Sequence, residues 1–415
     1  MRNLLSGRWK KISVIKMKAK VLSLIATMVL VQSTFAATIK TDHTWYLAGE
    51  PMKVSITANN ATIAYAELCD TYGLAAGVVV SLHGGEGTGV IELPSDLHSG
   101  YYVLSVYTRD EAKVTHRLVA VVNALRKSVD DDIEWVAADS CWTIANRTAD
   151  LTREKDAGER ETEGHIIKAH IKNVYDGQTF KSSQICPSLS IVGKQIHYFE
   201  GKMVNDSTAM FYTYGIHGKQ PLVLSARSSS GVSLPIEIIS PFAALLPKQL
   251  PRLVFHYKRS EVEARSIAMQ RHQKTMPSAV ALDYDETVFG IKPDLSYNLD
   301  EYRQFRSLRE VLLEYVSCVK KKKINGITQL FVSKEQDDYM TFLPTLVLID
   351  GMPVYDIERL LNYDARRVHY INIYGDQYTF GNSIYNGILS FVSRTGQLTN
   401  YPTEPGTQYF EYLFP

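Results

Sequence analysis

The sequence predicts a mainly β protein in which one or two β-sandwiches are followed by a small α/β domain. Through most of the chain, short alternating or apolar runs recur roughly every eight to twelve residues between turn residues, which is typical of sandwiches. Near the C-terminus, helical spacing alternates with fully apolar strands. With 415 residues, 45% of them hydrophobic, the chain is long enough for several domains. Its formal net charge of +1 argues against a dedicated nucleic-acid-binding protein.

Residues 1–36 are predicted to be a signal peptide. Lysines cluster before an apolar run at 21–31, and Thr34 and Ala36 provide small residues near the cleavage position. The run is too short to span a bilayer comfortably, so we expect cleavage rather than anchoring. Met17 is a plausible alternative start. The expected location is the periplasm, the outer membrane or the cell surface.

Residues 38–125 are predicted to form the first β-sandwich. The glycine cluster at 84–89 lacks the Lys-Ser/Thr pair of a phosphate-binding loop, and strands rather than a helix flank it, which predicts a hairpin turn. Side chains alternate along 101–106, so one of the two alternating sets is expected to face the core. The predicted strands span residues 52–58, 61–68, 78–82, 89–93, 101–108 and 116–122.

Two segments of this region resemble the MG2 domain of α2-macroglobulin-like proteins. Residues 42–50, DHTWYLAGE, are similar to its opening pattern, and residues 92–109, ELPSDLHSGYYVLSVYTR, to one of its edges. The resemblance implies an Ig-like sandwich. The thioester motif Cys-Gly-Glu-Gln of these proteins is absent from the sequence, so covalent trapping of a protease is not expected.

Residues 165–245 are predicted to form a second sandwich, after a polar, charge-rich linker at 126–164 with short structured pieces. The second sandwich resembles the additional Ig-like module that follows the MG2 domain in exported Bacteroidota proteins. Its predicted strands lie at 189–195, 209–214, 222–226 and 232–238. Residues 246–300 are expected to connect it to the last domain.

Residues 301–398 are predicted to form the α/β domain, and residues 399–415 a C-terminal tail. Ser307 is expected to cap a helix with an apolar stripe, and Asp356 a second, shorter helix. The consecutive lysines at 320–323 are interpreted as a solvated loop; contact with lipopolysaccharide phosphates, acidic glycans or nucleic acid is the alternative. The predicted strands lie at 328–332, 345–349, 368–374 and 388–393.

Two motifs in this domain resemble the plug domain of TonB-dependent outer-membrane receptors. Residues 346–354, LVLIDGMPV, are similar to its "IDG-x-P" strand, and residues 385–396, YNGILSFVSRTG, to its final strand. Few residues follow, so we do not expect this chain to contain the barrel that a plug normally fills. No clear TonB box precedes the motifs, so energy-coupled uptake by this chain alone is not expected. The chain is therefore similar to exported Bacteroidota proteins that join MG2-like modules to a plug-like domain, without catalytic residues to carry over.

No motif predicts a cofactor, a metal site or a catalytic nucleophile. The acidic run at 130–134 does not have the spacing of an EF-hand loop and is interpreted as solvated. His165 and His170 are five residues apart, so neither a helix nor a strand would place them on one face. There is no Gly-x-Ser-x-Gly elbow. Small buried side chains, rather than disulfides, are favoured for the four scattered cysteines, Cys69, Cys141, Cys186 and Cys318.

The leading hypothesis is a non-enzymatic, exported binding or scaffold protein that acts in the periplasm or at the outer membrane. Sandwich edges would offer backbone donors and acceptors to partner strands. The plug-like domain would dock on an outer-membrane or periplasmic protein, with membrane association at most peripheral. The expected contact residues surround its first loop: Asp350, Gly351, Pro353 and Tyr355. Asp350 is interpreted as a turn residue whose side chain bonds local backbone, not as a catalytic carboxylate.

Two alternatives remain open. Trp45, Trp135, Trp142 and the 25 tyrosines would form stacking platforms in a glycan-binding component of a polysaccharide-uptake system. A hydrolase with paired carboxylates is the third hypothesis. No spacing in the sequence specifies such a pair, because the required separation is spatial.

Overall fold

A computed structural model of the protein describes residues 37–144, 148–193, 196–275, 287–324, 326–333, 343–396, 401 and 406–415. The predicted signal peptide at 1–36 therefore lies outside the described residues. Strands form most of the regular structure, which confirms the mainly β fold class. Within these ranges, no helix is long and apolar enough to cross a membrane.

The first sandwich pairs a three-stranded sheet with a five-stranded sheet. Its strands are β1 (Thr38–Thr41), β2 (Trp45–Leu47), β3 (Pro51–Thr57), β4 (Ile63–Cys69), β5 (Leu74–Ser81), β6 (Glu86–Glu92), β7 (Gly100–Tyr107) and β8 (Thr115–Val122). The orders are β1-β3-β6 and β2-β8-β7-β4-β5. Along β3, Met52, Val54 and Ile56 are buried while their neighbours face outward. Gly84 and Gly85 have positive φ in a tight turn closed by the antiparallel bridge of His83 with Glu86, so the predicted turn is present. The strands on either side of it, β5 and β6, belong to different sheets and do not pair with each other.

The second sandwich also consists of two sheets. The linker contains β9 (Ile133–Ala137), and the sandwich follows with β10 (His165–Ile171), β11 (Val174–Tyr175), β12 (Gln178–Thr179), β13 (Ile185–Ile191), β14 (His197–Glu200), β15 (Lys202–Asn205), β16 (Thr208–Thr213), β17 (Gly218–Ser228), β18 (Ser233–Leu234) and β19 (Ile236–Ile239). One sheet has the order β15-β16-β10-β19 and the other β14-β13-β17-β18. Ile167, Leu189, Phe211 and Leu222 pack between them.

An outer layer covers the five-stranded sheet of the first sandwich. Strand β20 (Leu253–Tyr257) runs parallel to β9 and leads into helix α1 (Arg259–Thr275). From this layer, Leu253, Phe255 and Val262 pack on the sheet in one apolar cluster with side chains of β2, β7 and β8. Tyr102, Leu104 and Val106 of β7 face the core between the two sheets, as expected for one alternating set. Tyr101 and Val103 of the other set are buried beneath the outer layer.

The C-terminal α/β unit contains a mixed sheet, a hairpin and two short helices. Its elements are β21 (Leu295–Asn298), α2 (Leu308–Glu314), β22 (Val319–Ile324), β23 (Ile327–Val332), β24 (Leu346–Ile349), β25 (Met352–Pro353), α3 (Ile357–Leu361), β26 (Val368–Phe380) and β27 (Ser383–Ser393). The sheet order is β21-β26-β27-β24-β25. Ser307 caps α2 and Asp356 caps α3, as predicted. The four lysines lie in strand β22, so their interpretation as a loop is wrong.

The last strand, β28 (Thr407–Phe414), returns to the second sandwich. It pairs antiparallel with Gly218–Ser225 of β17 over its full length. Phe414 joins the core of that sandwich, and Phe410 and Tyr412 pack against it. The expected tail at 399–415 therefore ends in a strand, because its alternating aromatic residues cover an edge of the apolar core.

Candidate functional site

The structure places the expected contact residue Asp350 inside the molecule. Asp350 follows β24 with a φ of +47° and has no exposed surface. Its carboxylate accepts hydrogen bonds from the Ser393 backbone N–H at 2.7 Å and hydroxyl at 2.5 Å. Burial raises the pKa of Asp350, although the Ser393 donors oppose this shift. The turn conformation is as expected, but the side chain bonds strand β27 instead of local backbone.

The rest of the loop packs against the second sandwich. Gly351 has a φ of +90°, and a Cβ there would lie 2.8 Å from the Ile191 carbonyl oxygen. Pro353 is buried in β25. The Tyr355 hydroxyl lies 3.1 Å from each of the hydroxyls of Ser188 and Ser225. These contacts make the loop an internal joint between the α/β unit and the second sandwich.

A buried polar cluster joins the two sandwiches. Glu161, at the end of the linker, accepts from the Tyr65 hydroxyl at 2.7 Å and from the Ile166 N–H at 2.8 Å. Its carboxylate lies 3.4 Å from the Arg109 guanidinium and 3.2 Å from Nδ1 of His165. Burial alone would raise the pKa of Glu161, but His165 and Arg109 hold it below its usual value.

His165 extends this cluster to the C-terminal strand. Its Nε2 lies 2.7 Å from the Tyr412 hydroxyl of β28. His165 is buried, whereas His170 is exposed, so the two histidines do not meet. No group of three or more His, Cys, Asp or Glu residues within the described ranges could hold a metal ion. The cluster therefore connects β4, the linker, β10 and β28 through side-chain hydrogen bonds.

A second buried carboxylate fixes the segment between the second sandwich and β20. Glu67 of β4 accepts from the Tyr107 hydroxyl at 2.9 Å and from the Leu245 and Ala244 N–H groups at 2.7 and 3.0 Å. With these partners, Glu67 and Glu161 hold parts of the chain together. Donors of the chain itself surround both carboxylates. Neither is therefore placed to transfer a proton to a substrate as a general acid would.

A cleft of about 200 Å³ opens beside these two carboxylates. Its cationic side chains bond to the chain itself. The Lys155 ammonium donates to the carbonyls of Arg109, Glu111 and Asp156 at 2.8, 2.6 and 3.0 Å. Lys168 forms an ion pair with Glu159 at 2.7 Å. The cleft is therefore a joint between the sandwiches in which the charges on the wall have internal partners.

The three tryptophans proposed as a glycan platform have different environments. Trp45 is 6% exposed and packs edge-on against Phe255 with the Arg265 guanidinium 3.9 Å from its ring centroid. Trp135 is 41% exposed, and Trp142 is 46% exposed. Trp142 stacks on His256, with ring centroids 3.6 Å apart and an interplanar angle of 4°. No local pattern in the sequence indicates His256, because only the pairing of distant segments brings the two rings together.

The remaining candidate motifs have structural partners or lie on edges. Asp131, in the acidic run, accepts from the N–H groups of Ser99 and Ser128. The lysines of β22 are exposed along the outer strand of a hairpin, where charge prevents pairing with another strand. The four cysteines, all among the described residues, form no disulfide with one another.

Comparisons with solved structures give likenesses at low identity to sandwich proteins. Escherichia coli α2-macroglobulin shares 12% identity over 51% of this chain and 14% of that one, with a TM-score of 0.19. The fibronectin(III)-like modules of Clostridium thermocellum CbhA share 10% identity over 53% of this chain and 94% of theirs, with a TM-score of 0.15. The Ig1-2 module of the Drosophila receptor protein tyrosine phosphatase DLAR shares 8% identity over 54% of this chain and 98% of that module, with a TM-score of 0.16.

These TM-scores are too low to support a functional argument. The two sandwiches are defined by their own strand pairing. No protein-family model matches the sequence. No curated protein matches it either.

Proposed function

We propose that this protein is a non-enzymatic binding or scaffold protein, exported to the periplasm or the outer membrane, that holds a partner protein through the edges of its sandwiches. The observation that carries the proposal is the pairing of β28 with β17. A strand that follows the α/β unit in the sequence completes the second sandwich by edge addition. This is the geometry in which sandwiches bind extended segments of other proteins.

The joints between the units support a scaffold role. The Glu161 cluster, the Glu67 contacts and the loop at 350–355 each satisfy buried polar groups across a boundary between units. Breaking one of these joints would leave donors or acceptors buried without partners, which typically costs about 1–3 kcal/mol per group. The units therefore present their outer surfaces in a fixed arrangement, as a scaffold requires.

The edges of the second sandwich offer surfaces for such a partner. Strands β15 and β19 bound its four-stranded sheet, and Val204 and Ile239 on them are 47% and 39% exposed. By contrast, the lysines of β22 make that edge unfavourable for strand addition. We therefore place the partner at the edges of the sandwich and not at the lysine hairpin.

The resemblance to a receptor plug supports an outer-membrane partner, but by a surface other than the first loop. The loop at 350–355 is covered by the second sandwich, so docking through it would require the two units to separate. An exposed position such as Leu313 on α2, 80% exposed, stays accessible in the assembled chain.

Photo-crosslinking in cells tests the proposal. A photoreactive amino acid at position 204 or 239 should yield an adduct with a periplasmic or outer-membrane protein, and the protein should co-purify with outer membranes. The same amino acid at position 321, on the lysine hairpin, is the control and should yield none. A freely soluble monomer that gives no adduct at either edge position would refute the proposal.

Glycan binding is the second candidate function, because Trp142 remains exposed in the folded chain whereas Trp45 does not.

A further inference from the structure

The outer face of the layer formed by β9 and β20 carries a mixed aromatic and polar surface. Leu253 and Phe255 of β20 are buried, whereas Val254 and His256 face outward. The register pairs Val254 with Glu134 and His256 with Val136, so these four side chains share the outer face. The inner face alone covers the first sandwich, and the packing of the sheet therefore does not require an aromatic ring on the outside.

Trp142 lies at one end of this face in a fixed orientation. Its backbone N–H donates to the His256 carbonyl at 2.9 Å, and the His256 N–H donates back at 3.0 Å. These two bonds hold the residues opposite each other, and the indole lies parallel to the imidazole at 3.6 Å. Trp142 is still 46% exposed, as expected for a ring with one covered face. An aromatic ring fixed in this way binds a flat apolar surface without losing further side-chain entropy.

The other end of the face is polar. Arg252 lies 3.9 Å from the carboxylates of both Asp132 and Glu134, and all three side chains are more than half exposed. Arg252 precedes Val254 and His256 by two and four residues on the same side of the strand. At about 3.3 Å per residue, the Cα atoms of Arg252, which directly precedes β20, and of His256 are roughly 13 Å apart along the strand direction.

We propose that this outer face, which we call the Trp142 face, binds a neutral glycan. One pyranose ring would stack its C–H groups on the open side of the Trp142 indole. A sugar about two units further along the glycan would place hydroxyl groups on Arg252 and Glu134, which offer donors and acceptors at the other end of the face. The two carboxylates outnumber the single guanidinium, so a uronic acid would be repelled.

This inference is independent of the protein partner proposed above, because the Trp142 face belongs to the outer layer of the first sandwich and the partner edges to the second. The surface also differs from a protein-docking site. Its exposed apolar groups include Trp142 and Ile144, and the same face carries three exposed charged side chains, whereas the centre of a protein interface is depleted of charge.

A titration with defined oligosaccharides tests the inference. The mature chain would be titrated with hexasaccharides of glucose, mannose, galactose and N-acetylglucosamine, and with a hexauronate, while tryptophan fluorescence and calorimetry are recorded. We expect saturable binding of at least one neutral hexasaccharide and none of the hexauronate. Trp142→Ala should weaken this binding roughly tenfold, as the loss of an aromatic contact worth about 1.4 kcal/mol predicts.

Two variants serve as checks on the site. Trp135→Ala removes a similarly exposed tryptophan that packs edge-on against Phe255 and Tyr257, on the other side of the layer, and should leave binding within twofold. Arg252→Met changes an exposed charge without affecting the core and should weaken binding severalfold. No saturable binding by any neutral sugar, binding of the hexauronate alone, or equal affinity of the wild type and Trp142→Ala would each overturn the proposal. Crosslinking at the sandwich edges should be unchanged in Trp142→Ala, which separates the two proposals.

Discussion

The loop at 350–355 and the Trp142 face both contain a ring stacked on a neighbouring side chain. The ring in the loop contacts the second sandwich inside the protein, whereas the ring on the Trp142 face is partly exposed to solvent. Tyr355 has the Arg227 guanidinium 4.0 Å from its ring centroid and points its hydroxyl at two serines of the second sandwich. Trp142 stacks on His256 at a similar distance and keeps nearly half of its surface in solvent. The same kind of contact therefore joins two units in one place and leaves a surface available to a ligand in the other.

The difference lies in the polar groups around each ring. Around the loop, the carboxylate of Asp350 and the hydroxyl of Tyr355 have partners within the chain, and the glycine backbone touches the facing strand. On the Trp142 face, the charged groups at the end opposite Trp142 are exposed, and Arg252 lies 3.9 Å from each of the two carboxylates. Substitutions in the loop should therefore change stability, and substitutions on the Trp142 face should change ligand binding.

The largest effect is expected for Gly351→Ala. A Cβ at this position would lie 2.8 Å from the Ile191 carbonyl oxygen, and the φ of +90° is strained for alanine. The two effects should lower the free energy of unfolding by about 3 kcal/mol, measured by urea denaturation. Gly177→Ala is the matched control, since Gly177 has a φ of +74° but nothing within 4 Å of its added Cβ. Equal losses in the two variants would show that the loop is not tightly packed on the sandwich.

Asp350→Ala should have the next largest effect. It removes the acceptor for the Ser393 N–H and hydroxyl groups in a buried site, so we expect a loss of about 2 kcal/mol in the free energy of unfolding. In Asp350→Asn, the asparagine keeps an oxygen acceptor and tolerates a positive φ, so the free energy of unfolding should decrease by less than in the alanine variant. A change within experimental error in the alanine variant would contradict the burial of this carboxylate.

The stability that depends on Asp350 should also vary with pH. Because burial raises its pKa in the folded chain, the folded state retains the proton above the pH at which the unfolded chain loses it. Its contribution is therefore fully present below about pH 4 and decreases as the pH rises through the raised value, by about 1.4 kcal/mol per unit of pKa difference. Urea denaturation of the wild type and Asp350→Asn between pH 4 and 7 measures the difference. Parallel curves would exclude a raised pKa.

Tyr355→Phe should have a smaller effect. It removes a hydroxyl shared by Ser188 and Ser225, but these two serines still lie 2.7 Å apart and can bond each other. We expect a loss of about 1 kcal/mol or less in the free energy of unfolding. Tyr72→Phe, at a position that is 75% exposed, should show no loss and serves as the control. A loss as large as that of Asp350→Ala would mean that the two serines depend on Tyr355 for their orientation.

The smallest effect on stability is expected for Trp142→Ala. The substitution removes the stack on His256 at a position that is 46% exposed, which should lower the free energy of unfolding by less than about 1 kcal/mol. Thermal unfolding measures this change. A loss comparable to that of Gly351→Ala would place Trp142 in the core and remove the contrast between the two regions.

Local signals in the sequence predicted local structure well. Ser307 caps α2 with its side chain bonded to the Glu310 N–H, and Asp356 caps α3 in the same manner. Gly84 and Gly85 also lie in the predicted turn, where their positive φ is needed. Each of these features depends on residues a few positions apart, so a pattern in the sequence is sufficient to predict it.

Features that depend on distant pairing could not be predicted in this way. The linker and the connecting segment, assigned separate roles, meet as β9 and β20 in one layer. The lysines of β22 are poor strand formers, but pairing with β23 overrides that preference. Asp350 was correctly expected in a turn, whereas its burial depends on Ser393 and on the second sandwich. The exposed stack of Trp142 on His256 has the same origin, because the two rings come from separate segments.

The return of β28 to the second sandwich has a consequence for how the chain acquires its structure. Strands β10 to β19 are synthesised well before β28, because the whole α/β unit lies between them in the sequence. Until β28 pairs with it, the edge of β17 at Gly218–Ser225 is unpaired, and another extended polypeptide can add to that edge. The second sandwich is therefore completed late, and a chaperone that shields an unpaired strand edge would be most useful during that interval.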